Sequence, residues 1–304
     1  MIVTRYPDKT TLLDLKNPDF ECKEPPKFPY KYYTGGFAFI DGSPMYCGGL
    51  AGDPYISKQC YMLQSRNWIK TGVEMDIAAY SVGRGNVVIN NKLLISGGDG
   101  EYSIGRKTSN ELISTTGKID LPDLPQKLRS HCNVLLNNTH LLTTGGTKGR
   151  DCDSKKTFIL NLETKIWTDG PEMLENRCQH SCPKVKVGDD QEFVLIYGGD
   201  QGPNGAVSSE YLNVLDIGSG WKKGPDLAKK LELNAEIISP DMKEIYSLGG
   251  YEKANSDIHK WSCTGSSIDS CKWELLDRKL PHGDWQPLAI QIPDDTLANQ
   301  MCNN

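Results

Sequence analysis

Five short words recur along the chain: MYCGGL at 45–50, LISGGD at 94–99, LTTGGT at 142–147, LIYGGD at 195–200 and YSLGGY at 246–251. Each ends a strand-like run on a glycine pair, the first members being Gly48, Gly97, Gly145, Gly198 and Gly249. The intervals between them are 49, 48, 53 and 51 residues. A period held that closely marks one supersecondary unit copied along the chain, since each copy must bury its apolar faces against its neighbours.

The rest of each unit reads as short strands. Before the glycine pair stand GGFAFI (35–40), GNVVI (85–89), NVLLN (133–137), PKVKV (183–187) and AEIIS (235–239). After it come QCYMLQ (59–64), NELIST (110–115), TFILNL (157–162), YLNVLD (211–216) and DIHKWSC (257–263). A tryptophan follows in four units, Trp68, Trp167, Trp221 and Trp273, twice within similar words, WTDGPEM and WKKGPDL. Alternating strand patterns bounded by turn residues predict four strands per unit, and no stretch has helical period. Unit two has KIDLPDL at 118–124 where a tryptophan is expected, which leaves its fourth strand undetermined.

These words resemble the kelch repeats of β-propellers, and the resemblance runs over nearly the full length. It implies an all-β propeller. Five units fill about 32–283, with substantial remainders at both ends. TTLLDL (10–15) and DFEC (19–22) read as a second half-unit, and PLAIQI (287–292) with TLANQMC (296–302) as a first half. The expectation is six blades, the last closed by N- and C-terminal strands, with five as the fallback. The single domain 1–304 would divide into blades near 31–75, 76–125, 126–175, 176–229, 230–283, and 284–304 plus 1–30.

Ten cysteines test this geometry. Cys263 and Cys271 flank TGSSIDS between two strands of one hairpin, within disulfide reach, and Cys47 and Cys60 stand on adjacent strands of unit one. Cys178 and Cys182 are too far apart along an extended chain to pair with each other. Cys152 and Cys178 lie in loops that open on one face, so they form a pair. Aligning RSHCN (129–133) with CQHSC (178–182) through the histidines sets Cys132 and Cys182 one position apart. Strand alternation then turns them to facing sides of adjacent blades. Cys22 and Cys302 pair by elimination. The competing reading is ten buried thiols acting as small apolar residues.

Disulfides imply an oxidising compartment. The start, MIVTRYPDKT, has no leader-like pattern, so the expectation is a secreted, mature form, with a cytoplasmic protein as the alternative. No uncharged apolar run approaches the ~18 residues of a membrane helix. With 34 basic against 39 acidic residues and a net charge of −5, a generally basic nucleic-acid binder is excluded. Nothing resembling a P-loop, GxSxG, HExxH or CxxC is present, so no cofactor or metal is expected.

For function, the loops after the glycine pairs are polar and glycine-rich, as binding loops are. Arg106, Lys107, Arg129, His131, Lys148, Arg150, Arg177 and His180 fall on units two to four near that face. The expectation is a non-enzymatic, monomeric binding module for a protein or an acidic or sulfated glycan. Interspersed acids argue for ordinary solvation, and the resemblance implies structural places for Arg129, His131, Arg177 and His180. The alternative is a sugar-active enzyme, mutarotase- or oxidase-like, with its site at the central pore.

Overall fold

The computed structural model describes residues 2–4, 10–15, 17, 22, 26–28, 34–50, 56–100, 105, 107–149, 151–201, 206–250, 255–281, 287–292 and 301–302. Its strands are β1 (Ile2–Thr4), β2 (Thr10–Leu12), β3 (Gly36–Ile40), β4 (Ser43–Cys47), β5 (Gln59–Gln64), β6 (Asn67–Glu74), β7 (Val88–Ile89), β8 (Lys92–Ser96), β9 (Asn110–Ile113), β10 (Lys118–Leu121), β11 (Cys132–Asn137) and β12 (His140–Thr144). They continue as β13 (Thr157–Asn161), β14 (Ile166–Asp169), β15 (Lys184–Val187), β16 (Gln191–Tyr197), β17 (Ser209–Asn213), β18 (Lys222–Lys223), β19 (Ala235–Ile238), β20 (Ile245–Leu248), β21 (Ile258–Cys263), β22 (Cys271–Leu275) and β23 (Leu288–Ile290). Strands β3 to β22 make five antiparallel four-stranded sheets in chain order, the blades of a propeller. In every blade the second strand is buried nearly end to end (HLLTT in β12, FVLIY in β16), because neighbouring blades cover both its faces. The fourth strand is mostly exposed in β14 and β18, while β22 buries Cys271 and Trp273.

The glycine pairs turn the chain where blades meet. Gly145 has φ 59° and Gly146 φ 89°. A Cβ on Gly145 would stand 2.4 Å from the Arg177 carbonyl oxygen, and the Gly146 N–H donates to that same oxygen at 2.8 Å. The bond recurs from Gly49 to Ala79, Gly98 to Leu128 and Gly199 to Leu231, so these four pairs latch their blades to the connection leading into the next. The tryptophans add a second latch. The Trp167 indole donates to the Pro122 carbonyl and the Trp221 indole to that of Pro171, each in the preceding blade. Unit two does have a fourth strand, β10, and buried Leu121 joins the same apolar cluster as Trp167.

A sixth, three-stranded sheet runs β2-β1-β23 and so joins both ends of the chain. Its second strand is Ile2–Thr4, in register with Leu288–Ile290, rather than the 296–302 segment expected for that place. The β-branched run Ile-Val-Thr suits a strand. Of the 296–302 segment, only Met301 and Cys302 are among the described residues, and they are not in a strand. Leu12 packs with Phe37, Tyr46 and Tyr61 of the first blade, whereas Leu13 packs with Ala235, Ile237 and Leu248 of the fifth. Adjacent residues on opposite faces thus bridge the first and last complete blades.

The structure contains the disulfides Cys22–Cys302, Cys47–Cys60, Cys132–Cys182, Cys152–Cys178 and Cys263–Cys271. No cysteine is left free. Cys132–Cys182 joins the inner ends of two blades, and Cys22–Cys302 joins a segment after β2 to one after β23. No helix among the described residues is long and apolar enough to cross a membrane.

Candidate functional site at the pore mouth

The basic and histidine residues singled out from sequence do not form one surface. Lys107 is buried and donates to the Ile77 carbonyl at 3.0 Å, with Glu111 3.9 Å away. Arg177 is 1% exposed. Its guanidinium bonds Glu210 (3.1 Å), Glu175 (2.8 Å), the Ser208 hydroxyl (2.8 Å) and the Gly198 carbonyl (2.8 Å). His131 and His180 are fully buried and bond Ser96 (3.0 Å) and Thr144 (2.9 Å) through Nε2. These four side chains are thus buried within the fold. Burying a cation requires such partners, and the Arg177 and Lys107 donors are directed to them; each histidine is held through Nε2, its Nδ1 having no hydrogen-bond partner among the described residues. Arg129 stays partly exposed and holds Asp99 at 2.6 Å, and Lys148 is exposed. Arg106 and Arg150 lie outside the described residues. Cys152 and Cys178 place sulfur beside the Asp200 carboxylate, but the two sulfurs are bonded to each other.

The structure converges polar groups elsewhere, where the inner strands begin. A cavity of about 50 Å³ there is lined by Arg84, Ser130, Ser181, Asn234 and Glu236 among others. That volume holds a few waters. The start of β11 pairs with the end of β12 (Cys132 with Thr144), and β19 likewise with β20 (Ala235 with Leu248). The cavity therefore opens on the side of the glycine-pair loops.

Each group is set by its backbone. In β19, Ala235 and Ile237 are buried toward the closing sheet, so alternation turns Glu236 the other way, toward Tyr197 at the end of β16. The Tyr197 hydroxyl donates to Glu236 Oε2 at 3.4 Å. Asn234 Nδ2 donates to Ser181 Oγ (3.1 Å) and to the Tyr197 oxygen (3.2 Å). Its Oδ1 is buried with no hydrogen-bond partner among the described residues. Arg84, held by a backbone bridge to Cys132, reaches across the pore to donate to the Asn234 carbonyl. Asn86 likewise spans to the Ala289 carbonyl at 3.0 Å.

Burial pushes the Glu236 carboxyl up to about 7, against the pull of Arg84 and the hydrogen bonds of Ser181 and Tyr197. Burial drives the Tyr197 hydroxyl further up, so it stays a donor. The mouth thus holds one fixed cation, one free amide acceptor and one carboxyl that exchanges its proton near neutrality. Sequence reasoning missed this set. Residues 84, 197, 234 and 236 share no motif.

The raised Glu236 value has a stability consequence. The folded protein holds this proton more tightly than the unfolded chain does. Its contribution is fully present below pH ~4.5 and declines as pH rises to 7, by about 3 kcal/mol at most. His131 supplies the opposite limb. Burial lowers it to about 3, so stability falls as pH drops below 6.5 and the unfolded imidazole takes a proton. We expect Glu236→Gln to raise the urea midpoint at pH 8 and to flatten the limb between pH 5 and 8, leaving the acid limb unchanged. Equal midpoints for both proteins at pH 8 would show that the carboxyl ionises freely in the fold.

No family model matches the chain. It is 26% identical over 127 residues to "Kelch repeat and BTB domain-containing protein 2" of cowpox virus, in the GRI-90 / Grishak and Brighton Red strains alike. That stretch is 42% of this chain and 21% of each viral protein, so the chain spans about a fifth of the curated relatives it matches. Among solved structures it is similar to that of YjhT, with a TM-score of 0.66 and 16% identity over 87% of this chain and 89% of the other. With a repeated glycine-pair latch, four-stranded blades in chain order and these likenesses, the chain is a β-propeller, similar over 42% of its length to kelch-repeat proteins.

Proposed function

We propose that the protein is a recognition module that takes a protein or glycan partner on the face bearing the glycine-pair loops, and that the pore mouth is its anchoring pocket. The observation that carries this reading is the unpartnered Asn234 Oδ1, buried beside the Arg84 guanidinium and the Glu236 carboxyl. A buried acceptor without a donor costs free energy that a ligand N–H or O–H recovers. The Arg84 cation selects a ligand that also carries a carboxylate or sulfate. The disulfides support an extracellular setting, where such a module meets partners outside the cell.

A second reading is favoured by the Glu236–Tyr197 pair. A carboxyl that gains and loses a proton near pH 7 beside a hydroxyl donor is the equipment of general acid–base catalysis, here on a small polar substrate such as a sugar. One experiment separates the two. Glycan and acidic-peptide arrays are screened, and hits are titrated against wild type, Arg84→Gln and Glu236→Gln, with NMR following each bound compound for turnover. Binding without turnover that weakens about 10–100-fold in Arg84→Gln supports recognition. Turnover abolished by Glu236→Gln at retained affinity supports the enzyme. Hits whose affinity neither variant changes would remove the pore mouth from the reading.

A further inference from the structure

The triplet Asn137-Asn138-Thr139 is a glycosylation acceptor pattern that the pore-mouth reading leaves unused. It lies at the tip of the β11–β12 hairpin, where Asn137 pairs with His140 after an irregularity in the ladder. Asn137 and Asn138 are exposed. Asn137 Oδ1 accepts from the Thr139 N–H at 2.9 Å and from the Thr139 hydroxyl at 3.0 Å, closing a local turn. The two acceptor residues are thus held together by their own side chains. The amide Nδ2 takes part in none of the described hydrogen bonds, so attaching a group there breaks none of them. The other end of the same hairpin, Cys132 with Thr144, adjoins the Gly145–Gly146 loop. Asn137 therefore sits on the face away from the pore mouth.

We propose that Asn137 carries an N-linked oligosaccharide on the face opposite the loops, an inference that rests on the extracellular reading. The donor class is a lipid-pyrophosphate-linked oligosaccharide. The Nδ2–C1 bond forms, the C1–oxygen bond to pyrophosphate breaks, an amide proton is released and lipid pyrophosphate departs. No oxidant or reductant is involved. The consequence is a polar umbrella over one flat face, which leaves the loop face for partners.

The test expresses the full chain behind a cleavable leader in eukaryotic cells and reads intact mass with and without peptide-N-glycosidase. The expected result is a secreted protein with five disulfides and one glycan, released by the enzyme with conversion of Asn137 to Asp. Asn137→Gln and Thr139→Ala should each lose the glycan while Asn138→Gln keeps it, and all three should melt as wild type does. Secreted, fully oxidised protein with an unmodified Asn137 overturns the site while sparing the extracellular reading. Protein retained in the cell with free thiols overturns that reading, and the proposal with it.

Discussion

Deleting residues 1–24 should leave a protein that aggregates or melts far below the intact chain. The truncation removes β1 and β2, and β23 keeps no partner in its own sheet. It also removes Leu12 from the first blade's cluster, Leu13 from the fifth blade's, and Cys22 from its disulfide. Full burial of one leucine is worth about 1.5–3 kcal/mol, and loss of a long-range disulfide costs about 2–5 kcal/mol. Together they approach the whole ~5–15 kcal/mol that a domain has. Two newly exposed blade faces then invite edge pairing between molecules. Chromatographic state and thermal unfolding of the truncated and full chains decide the matter. A monomeric truncation with an unchanged midpoint would mean that the five complete blades stand alone and the closing sheet is an accessory.

Arg177→Met should cost about 3–5 kcal/mol, because it strands Glu210, itself 1% exposed, without its cation. Glu210 also accepts the Leu174 N–H at 2.6 Å, so it cannot turn away to water without breaking the link between blades three and four. Burial already raises its carboxyl, with Arg177 opposing. Removing the guanidinium raises it further, so the variant should regain stability as pH falls toward the carboxylate range. Adding Glu210→Gln to Arg177→Met should recover part of the loss at pH 7. A urea-derived loss below about 1 kcal/mol, with no pH dependence, would show that the guanidinium is replaceable by water. With the expected large loss, an affinity change in such variants reports a damaged fold rather than a lost contact.

The sequence displays the scaffold well because the scaffold is periodic. The glycine pairs recur since a side chain at Gly145 would meet a carbonyl, and that steric demand returns at every blade. Trp167 and Trp221 recur for a related reason, each satisfying a carbonyl one repeat back. Cysteine pairing follows from strand register, as Cys263 opposite Cys271 illustrates. The site is different in kind. Arg84 meets Asn234 over 150 positions, and Tyr197 meets Glu236 over 39, through a closed ring rather than through any local pattern. Charge alone also does not show that Lys107 and Arg177 are buried. Their neighbours in sequence are polar, but Glu111 and Glu210 inside the blades draw them inward. In unit two the missing tryptophan hid β10, whose place in the ladder is fixed by its pairing with β9.

The closing sheet also sets the order in which the protein is finished during synthesis. Thr4 is paired with Leu288, so the first of the described strands to be made waits for the last of them. At about 5–20 residues per second, roughly 15–60 s separate the two on the ribosome. Over that interval five blades can assemble in sequence while an unpaired N-terminal ribbon and the Cys22 thiol remain available to wrong partners. Premature oxidation of Cys22 with an earlier cysteine, such as Cys47, would hold the ring open. Folding yield is therefore governed by what shelters the nascent N-terminus, and a thiol isomerase should matter more to this chain than its final stability suggests.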